Sequence, residues 1–141
     1  MKKISKFLMT ALLCTKMYAV NDVLIKADVF PNKLSDFSFF KDASAQIPHD
    51  EVLPYELIST LFSDYSYKQR WVYVPKNTKA QYKEDWVFDF PEGSALIKTF
   101  YYPVDERNPE KGKNLLETRL LLRKEDCLLY TSPSPRDLRK S

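Results

Sequence analysis

Apolar and polar positions alternate most clearly in the second half of the chain, and a period of two predicts strands. Trp71 to Val74 is aromatic and β-branched and stops at Pro75. In Trp86 to Phe90, Trp86, Phe88 and Phe90 face one way and Val87 and Asp89 the other. A tight turn over Pro91 to Ser94 leads into a strand over Ala95 to Tyr102. Leu115 to Lys124 is the next strand, with Leu116, Thr118, Leu120 and Leu122 on one face. Glu117, Arg119 and Arg123 line its other face, which Leu121 interrupts. The polar stretch Pro103 to Asn114 joins these two long strands, and consecutive strands are usually neighbours, so an antiparallel pair is expected. Trp86 to Phe90 is expected to pair nearby through the Pro91–Ser94 turn.

The first half is less regular. Asn21 to Phe30 shows no clear period. Leu34, Phe37 and Phe40 recur at helical spacing and predict a single helical turn with an aromatic anchor within Pro31 to Asp42. Ala43 to Pro54 reads as a loop bounded by Pro48 and Pro54. Tyr55 to Arg70 carries Tyr55, Ile58, Leu61, Phe62 and Tyr65 at helical spacing, but its Ser, Thr and Asp residues favour turns. At most one or two helical turns are expected there. The fold class is therefore mainly β: an antiparallel sheet or incomplete β-sandwich, with short helical turns at the N-terminal side.

The two ends change how the composition reads. Met1 to Lys6 is basic, Phe7 to Thr15 is uncharged and mostly apolar, and Ala19 supplies a small residue for cleavage. This pattern predicts a signal peptide over residues 1–19 and a periplasmic or secreted product. Lipid anchoring at Cys14 is not expected, because Ala11-Leu12-Leu13 lacks the small residue that precedes a lipidated cysteine. At the other end, residues 127–137 (CLLYTSPSPRD) resemble a translated transposase-based sequencing adapter, and residues 138–141 fit its continuation. On that reading residues 127–141 are a foreign tail without order, and 20–126 is a β-rich module incomplete at its C-terminus. The Leu-rich strand Leu115 to Lys124 would then lack a later partner and tend to aggregate.

The formal charge of the whole chain is +3. Residues 20–126 contain 15 Lys and Arg against 18 Asp and Glu, a charge of −3, so the basic balance comes from the ends. Nucleic acid is therefore not an expected partner. Both cysteines also lie in the end segments, which leaves no disulfide framework for the module. There is no phosphate-binding glycine loop, no Cys-x-x-Cys pair and no pair of histidines at metal spacing. The single His49 sits beside Asp50 and Glu51 in a polar loop, where a solvated role outweighs a metal-binding one. Pairs such as Glu84-Asp85 and Asp105-Glu106 also fall in loops. No catalytic, metal or cofactor residue is assigned, and the chain is not expected to be an enzyme.

Over nearly all of residues 30–124 an ordered set of segments resembles one family. These are Lys33 to Phe37, Pro54 to Leu57, Leu61 to Tyr65, Lys68 to Arg70, Phe90 to Ser94, Leu96 to Tyr101 and Leu116 to Leu121. The family consists of exported bacterial proteins of poorly known role, described as di-haem c-type cytochrome-like. A related module accompanies PQQ-dependent sugar dehydrogenases. Thr60 stands where the family usually has Pro, and Ile58 where it often has Asn. The resemblance covers the β-rich module only. It implies haem c in a downstream part, with none bound here, and a periplasmic redox partner or the cytochrome domain of the same chain as partner.

Within that module Ser63, Asp64, Lys68, Arg70, Glu117 and Arg119 form a candidate polar cluster. It could face a ligand or the haem domain. Equally, Asp64 could cap a turn while Lys68 and Arg70 pair with Glu117, and Glu117 and Arg119 could meet Lys98 across strands. Two functions stay open. One is a non-catalytic accessory module of an exported c-type cytochrome-like redox protein. The other is a periplasmic carbohydrate-binding module using Trp71, Trp86, Tyr101 and Tyr102. An exposed Trp pair would favour the second and buried Trp side chains the first.

Overall fold

A computed structural model describes residues 19–59, 62, 65–84 and 88–125, together with the backbone of 127–131. It is mainly β, with two antiparallel sheets and short helical elements near the N-terminal side. Residues 1–18, on which the signal-peptide expectation rests, and residues 132–141 of the expected tail lie outside the described residues.

Val20 is buried, and its amide donates to the Glu51 carboxylate. Helix α1 (Asp22–Lys26) follows, capped by the Asn21 side chain, which accepts from the Leu24 amide at 3.3 Å. Asp22 in its first turn and Lys26 in its last complement the helix dipole. The lead-in that showed no period thus contains a helix. Five residues give too few turns for a period to register, and Ile25 alone is fully buried.

The expected helical turn appears as a 3-10 turn over Leu34–Phe37, with both end residues buried. Phe40 is not part of it. Ser38 takes a left-handed conformation (φ 58°) that redirects the chain into β1 (Phe40–Asp42). Phe37 stacks on Phe39 at 5.4 Å, and Phe40 and Trp71 form a T-shaped pair at 5.0 Å.

The Ala43–Pro54 loop is corrected in part. It contains β2 (Ile47–Pro48), which pairs with β1, and β3 (Val52–Pro54), which opens the large sheet. The signal in the sequence was turn chemistry. The Asp42 carboxylate accepts from the amides of Ser44 and Ala45 at 2.9 and 3.0 Å, which folds the β1–β2 connection.

The large sheet runs in order β3, β4 (Tyr67–Tyr73), β5 (Ala95–Pro103), β6 (Lys113–Lys124) and β7 (Cys127–Thr131), all antiparallel. The β5–β6 pair is the one expected. Three strand expectations change. First, β4 begins at Tyr67, so the last residues of the ambiguous Tyr55–Arg70 stretch are strand, and no helix is seen among its described residues. Second, Phe88 to Phe90 forms only an isolated bridge, in which Gln81 and Asp89 exchange hydrogen bonds at 2.9 Å. The cause is that β4 and β6 already occupy both edges of β5. Asp85, Trp86 and Val87 lie outside the described residues. Third, β6 does have a later neighbour, because the backbone of Cys127–Thr131 pairs with Leu120–Lys124.

Side-chain alternation sorts the sheet into two faces. Trp71, Tyr73, Ala95, Ile97, Leu120 and Leu122 point inward and pack against Val20, Ile25, Leu34, Phe37 and Phe39. The helix, the 3-10 turn and the residues leading into β1 therefore cover this inner face. Tyr73 extends its hydroxyl to Asp22, tying β4 to the start of α1. Thr99 and Thr118 lie on the same face, fully buried and hydrogen-bonded to each other at 2.8 Å.

Candidate functional site

The outward face of β4, β5 and β6 carries the charges. In register, Arg70 lies opposite Lys98, and Lys98 lies opposite Arg119. Adjacent strands are roughly 5 Å apart, so three cations form one row about 10 Å long. The next row along the strands is Lys68, Phe100 and Glu117. On the other side of the basic row lie Val72, Leu96 and Leu121.

Each cation has a distinct setting. Arg70 is 5% exposed, and its guanidinium reaches the exposed Glu56 carboxylate at 3.8 Å, too long for a good hydrogen bond. Lys98 sits over the Phe100 ring at 4.6 Å, and Arg119 lies 4.9 Å from the same ring. Arg119 donates twice to Glu117, at 2.7 and 2.9 Å, the two-pronged geometry that suits a guanidinium and a carboxylate. Lys68 donates to the Ser66 carbonyl at 3.3 Å. Burial pulls the Lys98 ammonium below the usual lysine range. Repulsion from Arg70, Lys68 and Arg119 adds to this, and Glu117 opposes it.

Tyr55 follows β3 and is fastened to β4 by its amide, which donates to the Arg70 carbonyl at 3.1 Å. Burial raises its phenol above the ordinary tyrosine value, and the Arg70 charge works against that rise. Tyr55, Leu96, Lys98, Arg119 and Leu121 border a cleft of about 260 Å³. It joins a half-buried apolar floor to a cationic wall.

The structure thus brings together four residues of the expected cluster: Lys68, Arg70, Glu117 and Arg119. Ser63 and Asp64 lie outside the described residues. Arg70 contacts Glu56 rather than Glu117, because β5 stands between β4 and β6. Lys98, expected only as a cross-strand neighbour, is the centre of the row. Tyr55 was missed as a site residue because its spacing suggested a helix. Its position after Pro54, at the end of a strand, was the available signal.

The aromatic residues divide. Trp71 is 3% exposed and belongs to the core, so it cannot offer a face to a sugar. Trp86 lies outside the described residues. Tyr101 packs on Tyr67 at 5.6 Å with Lys113 above its ring at 4.9 Å, and Tyr102 is exposed. Ala19 is exposed.

His49 is half-buried with its Nδ1 enclosed, and among the described residues no three His, Cys, Asp or Glu side chains gather to hold a metal. Covalent haem attachment requires cysteine, and residues 19–125 contain none, so this stretch does not fit a haem c. No known protein family, curated protein or solved structure matches the chain.

Proposed function

We propose that the chain is a non-catalytic accessory module of an exported c-type cytochrome-like redox protein. Its contact surface is the outward face of β4, β5 and β6. The observation that supports this reading is the Arg70–Lys98–Arg119 row. Like charges placed directly opposite one another destabilise a sheet. Two such pairs in a single row, with Lys98 half-buried and Arg119 exposed, suit a surface that meets an acidic partner better than one that faces water alone. Such a surface would speed encounter and fix orientation. The burial of Trp71 also weighs against an aromatic platform for sugars.

A carbohydrate-binding role keeps one supporting feature, the Tyr67–Tyr101 pair beside the exposed Tyr102. A titration followed by amide and side-chain NMR separates the two. An acidic di-haem c-type cytochrome added at low salt should shift Lys68, Arg70, Lys98 and Arg119, and salt should reverse the effect. Shifts confined to Tyr67, Tyr101 and Tyr102 on adding cello-oligosaccharides, with none from the cytochrome, would replace the redox reading with the sugar one.

A further inference from the structure

We propose that the cleft beside Tyr55 binds a small organic acid. The acid's carboxylate meets the Lys98 ammonium and the Arg119 guanidinium, and its short apolar stem lies on Leu96 and Leu121. The inference stands apart from the redox-partner reading, since a free acid rather than a protein is the occupant.

The chemistry follows from the two walls. Lys98 lies between Arg70 and Arg119 in one row of the sheet, and its ammonium sits over the Phe100 ring, 4.6 Å from the ring centre. A ring face eases a cation's desolvation but does not neutralise it. Glu117 lies on the β6 side, where Arg119 donates two hydrogen bonds to it. Glu56 lies toward Arg70, 3.8 Å from it. Among the described residues the local balance is therefore positive around Lys98, and an incoming carboxylate offsets the repulsion along the row. Leu96 and Leu121, half-buried and adjacent to that charge, select among anions. Acetate leaves this floor uncovered, and an apolar cation meets the basic row. A short-chain acid satisfies both walls, and the cleft of about 260 Å³ has room for one.

Three probes test this on the full chain: hexanoate, acetate and hexylammonium, each titrated by NMR of backbone amides and leucine methyl groups. Hexanoate should give saturable shifts centred on Lys98, Leu96 and Leu121. Acetate should bind at least about tenfold more weakly, and hexylammonium should give no saturable shift. Lys98→Met keeps the apolar stem, removes a repelled charge and should weaken hexanoate about tenfold. Leu121→Ser provides a second reading and should remove the preference for hexanoate over acetate. Three results would overturn the proposal. One is hexanoate shifts that do not saturate. Another is unchanged affinity in Lys98→Met. The third is hexylammonium binding as tightly as hexanoate.

Discussion

Thr99 and Thr118 face each other at 2.8 Å in a part of the core that excludes water. A buried hydroxyl without its partner costs about 1–3 kcal/mol, whereas replacing both members with apolar groups of similar shape is close to neutral. Thr99→Val and Thr118→Val should therefore each destabilise the fold, and the double variant should recover most of the loss. Urea unfolding of the four proteins checks this through the coupling energy. Tyr73 carries another hydroxyl inside the core. Burial, and then its bond to Asp22, raises its phenol far above the usual value. Because the folded state holds this proton more tightly than the unfolded chain, the linked stability is complete below about pH 10 and is lost as pH rises beyond it. Tyr73→Phe should lower stability by about 1.5–3 kcal/mol at neutral pH. It should also flatten the alkaline limb of the stability profile, measured by unfolding between neutral and strongly alkaline pH.

Gly93 shows how one element places another. It sits in the turn before β5 with φ +85°, and its amide donates to the Arg123 carbonyl at 2.8 Å, fixing where β6 ends beside β5. A methyl group there would fall 2.7 Å from Lys26 Cε and 3.2 Å from Pro75 Cγ. Gly93→Ala should thus cost about 1 kcal/mol or more through backbone strain alone, read as a fall in the urea midpoint. The same turn marks the limit of what sequence could tell. Ala95–Pro103 and Lys113–Lys124 were legible because long alternating strands carry their own period. Asp22–Lys26 and Ile47–Pro48 were not, since two to five residues hold too little pattern to separate helix, strand and loop. Phe88 to Phe90 had the right alternation and lost its place in the sheet because β4 and β6 took both edges of β5. The candidate site was legible as residue types but not as a row. Arg70, Lys98 and Arg119 become neighbours only through the registers of two separate strand pairs. Removing β7 exposes the outer edge of Leu120–Lys124, so a chain ending at Glu125 should self-associate more than the full chain. Sedimentation velocity of the two at equal concentration decides the point.

At the scale of the whole molecule, Val20, Ile25, Leu34, Phe37 and Phe39 cover the inner face among the described residues. The signal-peptide expectation places a cut directly before the first of them. Expression with the leader in a bacterial host should give a product with the mass of a chain starting at Val20, and retention of Met1 on a soluble cytoplasmic product would refute processing at Ala19. The Val20 amide donates to Glu51, a half-buried carboxylate that also pairs with Lys76 at 2.6 Å. Cleavage after Ala19 would replace that amide with an ammonium group at the same atom, and a neutral donor would become a charged one. The newly made terminus would then act as a latch: the cut that releases the leader would also tighten the protein it leaves behind. Pairing with Glu51 would raise this ammonium above its free value of about 7.7–8.0, so the added stability would be whole below that range and fade as pH climbs through it. A chain starting at Val20 should thus be about 0.5 kcal/mol more stable at pH 6 than one starting at Ala19. The difference should vanish above pH 9 and in Glu51→Gln, so that the chain cut after Ala19 would be firmer than the chain before the cut.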